Sequence, residues 1–181
     1  MPRFAANLTL LFAELPFLDR FRAAREAGFD GVEVLFPYDA PAQETRDQIV
    51  LNDLAFVLMN TPPPNWAGGD RGFAAVPGAE DQFRRDFDRC LRFAGVRNPR
   101  HLHVMAGIAE GPEAETAYLA NLAWAAARAP QMSLTIEPIN PVDMPGYFLS
   151  DFDRALAILD RVGAPNLALQ FDAYHAQRIT G

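Results

Sequence analysis

Apolar runs typical of β-strands alternate with helical patterns along the whole chain, and this alternation constrains the fold more than any other feature. Strands are predicted at residues 4–11, 31–36, 54–59, 101–106, 132–137 and 167–171, and a helical pattern separates each one from the next. Strands and helices that alternate at this spacing indicate parallel βαβ units. The third and sixth runs are apolar on both faces, as expected for strands in a sheet that is covered on both sides.

Two parallel α/β architectures compete: an open doubly wound sheet and a closed (β/α)8 barrel. The open sheet usually carries a glycine fingerprint after its first strand, but residues 9–14 contain no glycine. We therefore predict the (β/α)8 TIM barrel, as a single domain spanning residues 1–181. Because such barrels typically need about 250 residues, we expect an incomplete one, with about six of the eight βα units present and strands 7 and 8 lacking.

Composition and charge narrow the classes of function. Half of the 181 residues are hydrophobic and the net charge is −7, so the chain suits a globular core but repels nucleic acid and anionic lipid. No signal peptide begins the chain, and no apolar run approaches the roughly 20 residues that span a bilayer. We expect a soluble, cytoplasmic protein with neither nucleic-acid nor membrane partners.

The lone cysteine, Cys90, rules out an internal disulfide and suits a reducing compartment. It shares one face of a predicted helix with Phe83, Phe87 and Leu91. We therefore expect a buried structural thiol.

Two carboxylates close apolar strands, at the end where parallel α/β proteins gather their reactive groups. Glu137 ends the fifth predicted strand, directly before Pro138, and Asp172 follows the sixth. A carboxylate in such a place is costly unless a cation or hydrogen bonds compensate it. Glu137 is interpreted as a metal ligand or an acid/base group, with a salt bridge to a neighbouring arginine as the alternative. A carboxylate-rich site suits Mg²⁺ or Mn²⁺ better than zinc.

Further polar residues lie near the predicted strand ends. His175 comes three residues after Asp172 and is expected to face the same pocket, with a surface position as the alternative. Asp143 follows Glu137 on a loop and is either a turn-former or a substrate contact. Asn7 lies near the end of the first strand and is a candidate for substrate binding.

A long loop at residues 60–72, rich in proline and glycine, carries Trp66 and Arg71. Loops of this length in compact domains are usually functional or mobile. The two side chains are candidates for covering a substrate, although they are also suited to packing the loop against itself.

Three strand residues leave their roles open. His101 and His103 point to the same side of the fourth strand, and a core pair is as consistent with the pattern as a site role. Glu33 lies inside the second strand, where either a hydrogen-bond acceptor near the site or a buried ion pair would explain it.

Five segments, in order, resemble the hydroxypyruvate isomerase family of the xylose-isomerase-like barrels. They are residues 3–8, 31–33 with 36–39, 65–72, 136–140 and 170–178, and the resemblance runs over nearly the whole chain. The resemblance implies a divalent ion held by Glu137, Asp172 and two further ligands from strands 7 and 8. It also implies two glutamates that act as acid and base, the first being Glu137. By a looser likeness to sugar epimerases, His175 and Asp143 contact substrate oxygens.

The activity that the resemblance implies is metal-dependent isomerisation of hydroxypyruvate to tartronate semialdehyde (2-hydroxy-3-oxopropanoate) through an enediolate. The alternatives are a 2-oxo-tetronate isomerase or a ketose 3-epimerase on the same scaffold, or an inactive truncated barrel. The superfamily also contains metal-dependent DNA-repair endonucleases, but the acidic charge argues against that function.

The departure from the family lies at the end of the chain. The second glutamate and two metal ligands are expected beyond Gly181, so the chain as written is expected to bind metal poorly and to turn over little. The resemblance is also compatible with a homo-oligomer.

Overall fold

Six strands lie in chain order in one sheet of the computed structural model, which describes residues 2–63 and 65–181. They are β1 (Ala5–Asn7), β2 (Gly31–Val34), β3 (Ala55–Asn60), β4 (His101–His103), β5 (Ser133–Ile136) and β6 (Leu167–Leu169). β1 pairs with β2, β2 with β3, and β5 with β6, each in parallel. The parallel order confirms the predicted barrel-type α/β fold with six strand–helix units. No helix in the described part of the chain is long and apolar enough to cross a membrane.

Within the described residues, six α-helices accompany the strands. They are α1 (Asp19–Glu26), α2 (Ala42–Leu51), α3 (Glu80–Arg97), α4 (Gly111–Arg128), α5 (Phe152–Val162) and α6 (Ala173–Thr180), with a 3₁₀ turn at Pro37–Asp39. Residues 150–153 have the sequence form of a capping box that begins at Ser150. The structure instead makes Asp151 the cap of α5: its Oδ1 accepts the N–H of Arg154 at 2.7 Å. α6 was not predicted. Asp172 caps this helix, and its side chain accepts the backbone N–H of His175. Two candidate site residues, Asp172 and His175, therefore lie at the start of one short helix.

The chain folds into two compact units. The first unit comprises Met1–Asn60 and Arg89–Leu102, and the second comprises Thr61–Asp88 and His103–Gly181. Each unit buries apolar side chains of its own, and the prediction of a single domain stays a prediction.

Cys90 lies in the core of the first unit and is fully buried, as expected. Burial raises the pKa of its thiol to about 12. Next to it, the hydroxyl of Tyr38 donates to the carbonyl of Asn60, and its ring meets Phe93 edge-on at 4.9 Å. The thiol therefore packs as a small apolar group.

Aromatic rings from α3 and α4 pack together in the second unit. Trp124 meets Phe83 and Phe87 edge-on, at centroid distances of 6.1 and 5.7 Å. Such edge-to-face pairs stabilise a core by more than their buried area alone.

Two glycines of the second unit allow a close approach of backbone to backbone. Gly72 and Gly107 both have positive φ, and a Cβ on Gly107 would lie 2.3 Å from the carbonyl oxygen of Gly72. The end of the 60–72 loop therefore packs against the segment that follows β4. This contact is part of the framework that holds Arg71.

Candidate active site

Glu137 follows β5 directly and is only 7% exposed. Its Oε2 lies 3.6 Å from Nδ1 of His103, the last residue of β4, which is 1% exposed. Burial, together with a smaller effect of the nearby His175, lowers the pKa of His103 to about 3. His103 is therefore neutral at physiological pH and adds no positive charge to the surroundings of the carboxylate. This contact gives His103 a place beside the candidate site, which the sequence pattern had left open.

Asp172 and His175 stand at the start of α6. The Oδ1 of Asp172 accepts the backbone N–H of His175 at 2.8 Å, so one carboxylate oxygen serves as the helix cap. The structure brings these two residues to Glu137: one ligand atom from each of the three lies within 4.8 Å of the others. The residues that the sequence placed at two separate strand ends thus form one cluster.

The cluster fits a divalent cation. Two carboxylates this close repel each other, and a cation between them would compensate both charges. A donor set rich in carboxylate oxygen matches Mg²⁺ or Mn²⁺.

Asn140 is fully buried and joins the β5 loop to α6. Its Nδ2 lies 2.8 Å from Nδ1 of His175 and 2.9 Å from Oδ2 of Asp143. Its Oδ1 accepts the backbone N–H groups of Val142 and Asp143, at 3.1 and 3.0 Å. One buried amide therefore contacts two of the predicted substrate-binding side chains.

Asp143 accepts hydrogen bonds from two side chains, one on the loop after β5 and one on α6. Its Oδ2 accepts from Asn140 and, at 2.6 Å, from the hydroxyl of Tyr174, while Arg178 lies 3.8 Å from its Oδ1. The hydrogen bond from Asn140, followed by that from Tyr174, lowers the pKa of the Asp143 carboxyl below its usual value. The backbone N–H of Asp143 donates to Oδ1 of Asn140 and so forms part of a turn. Its carboxylate contacts the same amide nitrogen of Asn140 that contacts His175.

Trp66 and Arg71 contact each other within the long loop. The Arg71 guanidinium lies 4.0 Å from the centre of the Trp66 ring, and its Nη1 donates to the carbonyls of Trp66 and Asp70. Asn65 closes the loop by accepting the N–H of Gly68 on its side chain. Loop packing is thus present, and it holds the guanidinium plane in one orientation.

Asn7 belongs to the first unit, whereas the other predicted site residues belong to the second. Its Nδ2 donates to Oε1 of Glu33 at 2.8 Å, and its Oδ1 accepts the N–H of Thr9. This bond identifies Glu33 as a hydrogen-bond acceptor, one of the two roles proposed for it.

Three residues around the cluster were missed as site residues: Asn140, Tyr174 and Arg178. All three lie within the segments that resemble the isomerase family, but none of them closes an apolar strand. The only available signal was their nearness in sequence to Glu137 and His175.

Comparisons with known proteins bear on the family and the fold of the chain. Residues 21–181 match the model of a family described as xylose isomerase-like TIM barrel. The chain is 49% identical to the 2-oxo-tetronate isomerase of Cupriavidus necator and 38% identical to the hydroxypyruvate isomerase of Escherichia coli; each match covers 100% of this chain and 72% of the relative. A crystal structure described as AP endonuclease, family 2, from Brucella melitensis has a TM-score of 0.96 at 46% identity, covering 100% of this chain and 72% of that one.

Proposed function

This chain belongs to the xylose isomerase-like TIM barrel family and is an isomerase, and on that premise we propose that it moves the carbonyl group of a small 2-oxo acid by one carbon. Hydroxypyruvate is the first candidate substrate and tartronate semialdehyde the product. The observation that carries the proposal is the buried carboxylate of Glu137, clustered within 4.8 Å of Asp172 and His175.

The reaction is a balanced proton transfer between neighbouring carbons. A proton leaves C3 of hydroxypyruvate and another arrives at C2, while the C3 oxygen loses its proton and the C2 oxygen gains one. Glu137 is the group proposed to accept and return the carbon-bound proton. The aldehyde at C3 and the hydroxyl at C2 of the product follow without any oxidant or reductant.

Glu137 and Asp172 are the residues proposed to hold a divalent cation, Mg²⁺ or Mn²⁺. When bound, such an ion supplies positive charge that stabilises an enediolate. The neutral His103 beside Glu137 supports this role, because that imidazole leaves the charge of the carboxylate in place.

His175 and Asp143 are proposed to orient the substrate hydroxyl and carbonyl oxygens. Arg71 and Trp66 are proposed to bind the substrate carboxylate. The Nη1 of Arg71 is engaged by loop carbonyls, so the guanidinium is positioned in advance for a planar, bidentate contact through its other nitrogens.

A second candidate substrate is 2-oxo-tetronate, which the 49% identity to an isomerase of that name favours. It shares with hydroxypyruvate a carboxylate, a 2-oxo group and a neighbouring hydroxyl. A ketose 3-epimerase on the same scaffold is the further alternative. Arg71 would have no carboxylate to bind in a neutral ketose, which makes that alternative less suited to this loop.

The test offers three substrates to the chain with Mg²⁺ or Mn²⁺: hydroxypyruvate, 2-oxo-tetronate and D-fructose. Products are followed by proton NMR in D₂O, and turnover of an acid with deuterium entering at the new C–H position supports the proposal. Turnover of D-fructose alone would favour the epimerase. If the metal binds and none of the three substrates reacts, the proposed isomerisation is wrong for this chain and the inactive-barrel alternative holds.

A further inference from the structure

The orientation of the Asn140 amide is set by its backbone neighbours. The N–H groups of Val142 and Asp143 can only donate, and both point at one side-chain atom of Asn140, which must therefore be the oxygen. The amide nitrogen consequently faces the other way, toward Asp143 Oδ2 and His175 Nδ1. Each of its two hydrogens has one acceptor there.

This orientation decides which nitrogen of His175 carries the proton. The backbone N–H of Asn140 also points at Nδ1 of His175, at 3.4 Å, and a backbone nitrogen cannot accept. Two donors from one residue therefore converge on Nδ1, which must present its lone pair. In the neutral imidazole the proton is then on Nε2.

We propose that Asn140 is a positioning residue that holds His175 in the Nε2–H form, so that this imidazole donates a hydrogen bond to the substrate instead of coordinating the metal. A metal ligand needs a lone pair, and in this form the only lone pair of the ring is occupied by Asn140. The cluster around Glu137 and Asp172 thus supplies two carboxylates to a cation and one N–H to a substrate oxygen. The hydrogen bond to the substrate rests on the proposed function, whereas the tautomer of His175 does not.

The tautomer is read directly by long-range ¹H–¹⁵N NMR on protein labelled with [¹⁵N]histidine, at about pH 8, above the ordinary histidine pKa. The chain has three histidines, and His175→Gln identifies the resonances of interest. The wild type is expected to show the Nε2–H form at His175, and added Mg²⁺ is expected to leave that proton in place. An Nδ1–H form in the wild type, or loss of the Nε2 proton on adding Mg²⁺, overturns the proposal.

Asn140→Asp tests the cause. The new carboxylate has nearly the same shape but no N–H to donate, so the proton of the neutral imidazole is expected to move from Nε2 to Nδ1, which donates it to that carboxylate. Persistence of an unchanged Nε2–H form would show that Asn140 does not control the tautomer.

Asn121→Ala is the matched control. Asn121 is buried to a similar degree, and its amide donates only to the carbonyl of Ala74 in the described structure. Its loss is expected to lower stability while His175 stays in the Nε2–H form. A tautomer change in this control would attribute the effect to general packing and overturn the assignment to Asn140.

Kinetics separate this proposal from the proposed function. In Asn140→Asp, kcat is expected to fall roughly 10–100-fold, as for other residues that orient a site histidine, while Asn121→Ala keeps kcat within about two-fold of wild type once corrected for folded protein. If the wild type isomerises neither acid, yet the tautomer switches as expected, the proposed function fails and the positioning role stands. A full kcat in Asn140→Asp with a switched tautomer overturns the role of the His175 N–H in the reaction.

Discussion

The Oε2 of Glu137 and the Nδ1 of His103 lie 3.6 Å apart, with both side chains buried and the imidazole neutral. The neutral ring separates the carboxylate from solvent on one side without adding charge. A buried carboxylate in such surroundings favours a cation or a proton. A metal ligand binds a cation, and an acid/base group binds a proton, so these surroundings suit both roles proposed for Glu137.

Glu137→Gln is therefore expected to lower kcat/KM on the active 2-oxo acid by at least roughly 100-fold. The same variant should lose its stabilisation by Mg²⁺, which for the wild type reaches about 2.7 kcal/mol when the ion stands at 100 times its Kd. Thermal unfolding with and without Mg²⁺ measures the second effect. Glu113→Gln, on the exposed first turn of α4, is the control. An equal rise of Tm with Mg²⁺ in both variants would argue against Glu137 as a ligand.

Asp172→Asn separates the role of that side chain as a helix cap from its proposed role as a metal ligand. Asparagine caps helices about as well as aspartate, so the free energy of unfolding without metal should change by less than about 0.5 kcal/mol. Mg²⁺ affinity, measured by calorimetry, is expected to fall at least roughly ten-fold because the negative charge is gone. Asp151→Asn makes the same change at the cap of α5 and should keep the affinity of the wild type. Unchanged Mg²⁺ binding in Asp172→Asn would remove Asp172 from the site.

Arg71→Met tests recognition of the substrate carboxylate. Methionine keeps an apolar stem over the Trp66 ring but has no N–H to donate. Loss of a charged hydrogen bond should raise KM for the active acid roughly 10–100-fold, with a smaller change in kcat. Arg85→Met, on the exposed face of α3, is expected to leave both constants unchanged. Equal KM values for wild type and Arg71→Met would show that the loop packs only on itself.

The buried thiol of Cys90 makes stability depend on alkaline pH. Its pKa is about 12 in the folded chain and 9.0 in the ordinary exposed state. Above pH 9 the unfolded chain therefore binds fewer protons than the folded chain, so stability falls as pH rises through this window, by roughly 1 kcal/mol per pH unit. Urea unfolding at several pH values should show this slope, and Cys90→Ala should lack that part of it. A slope unaltered by the substitution would contradict the assignment.

Gly107→Ala should destabilise the chain by roughly 3 kcal/mol or more, because the added Cβ would meet the carbonyl oxygen of Gly72 at 2.3 Å. Gly78 has a comparable positive φ but open space around its Cα. Gly78→Ala should therefore cost only about 1 kcal/mol, for the backbone conformation alone. The difference in free energy of unfolding between the two variants measures the contact. Equal losses would mean that the backbone approach is not tight.

Much of the fold followed from the sequence because strand-like runs and helix signals alternate without interruption. The strand lengths did not: Val104, Met105 and Ala106 are buried but lie outside β4. Apolar character reports burial, and the loops that follow these strands are buried as well. A strand ends where its ladder of hydrogen bonds ends, which apolar residues alone do not mark.

Some residues of the candidate site could likewise be predicted from the sequence, and others could not. Glu137 and Asp172 were identified because a charge that closes an apolar strand is costly and therefore conspicuous. Asn140 carries no charge and lies on a loop, and its importance comes from contacts with α6, 35 residues further on for His175. Such contacts leave no periodic signal in a single sequence.

The cap of α6 has a thermodynamic consequence. One oxygen of Asp172 holds the first turn of the helix through the N–H of His175, which leaves the other oxygen available to a cation. Fraying of that turn would release both the ligand and the imidazole together, so the ordering of the last eight helical residues and the occupancy of the site are coupled equilibria. An ion that binds at Glu137 and Asp172 would therefore favour the folded turn, and a change that makes the turn fray would weaken the apparent binding of the ion.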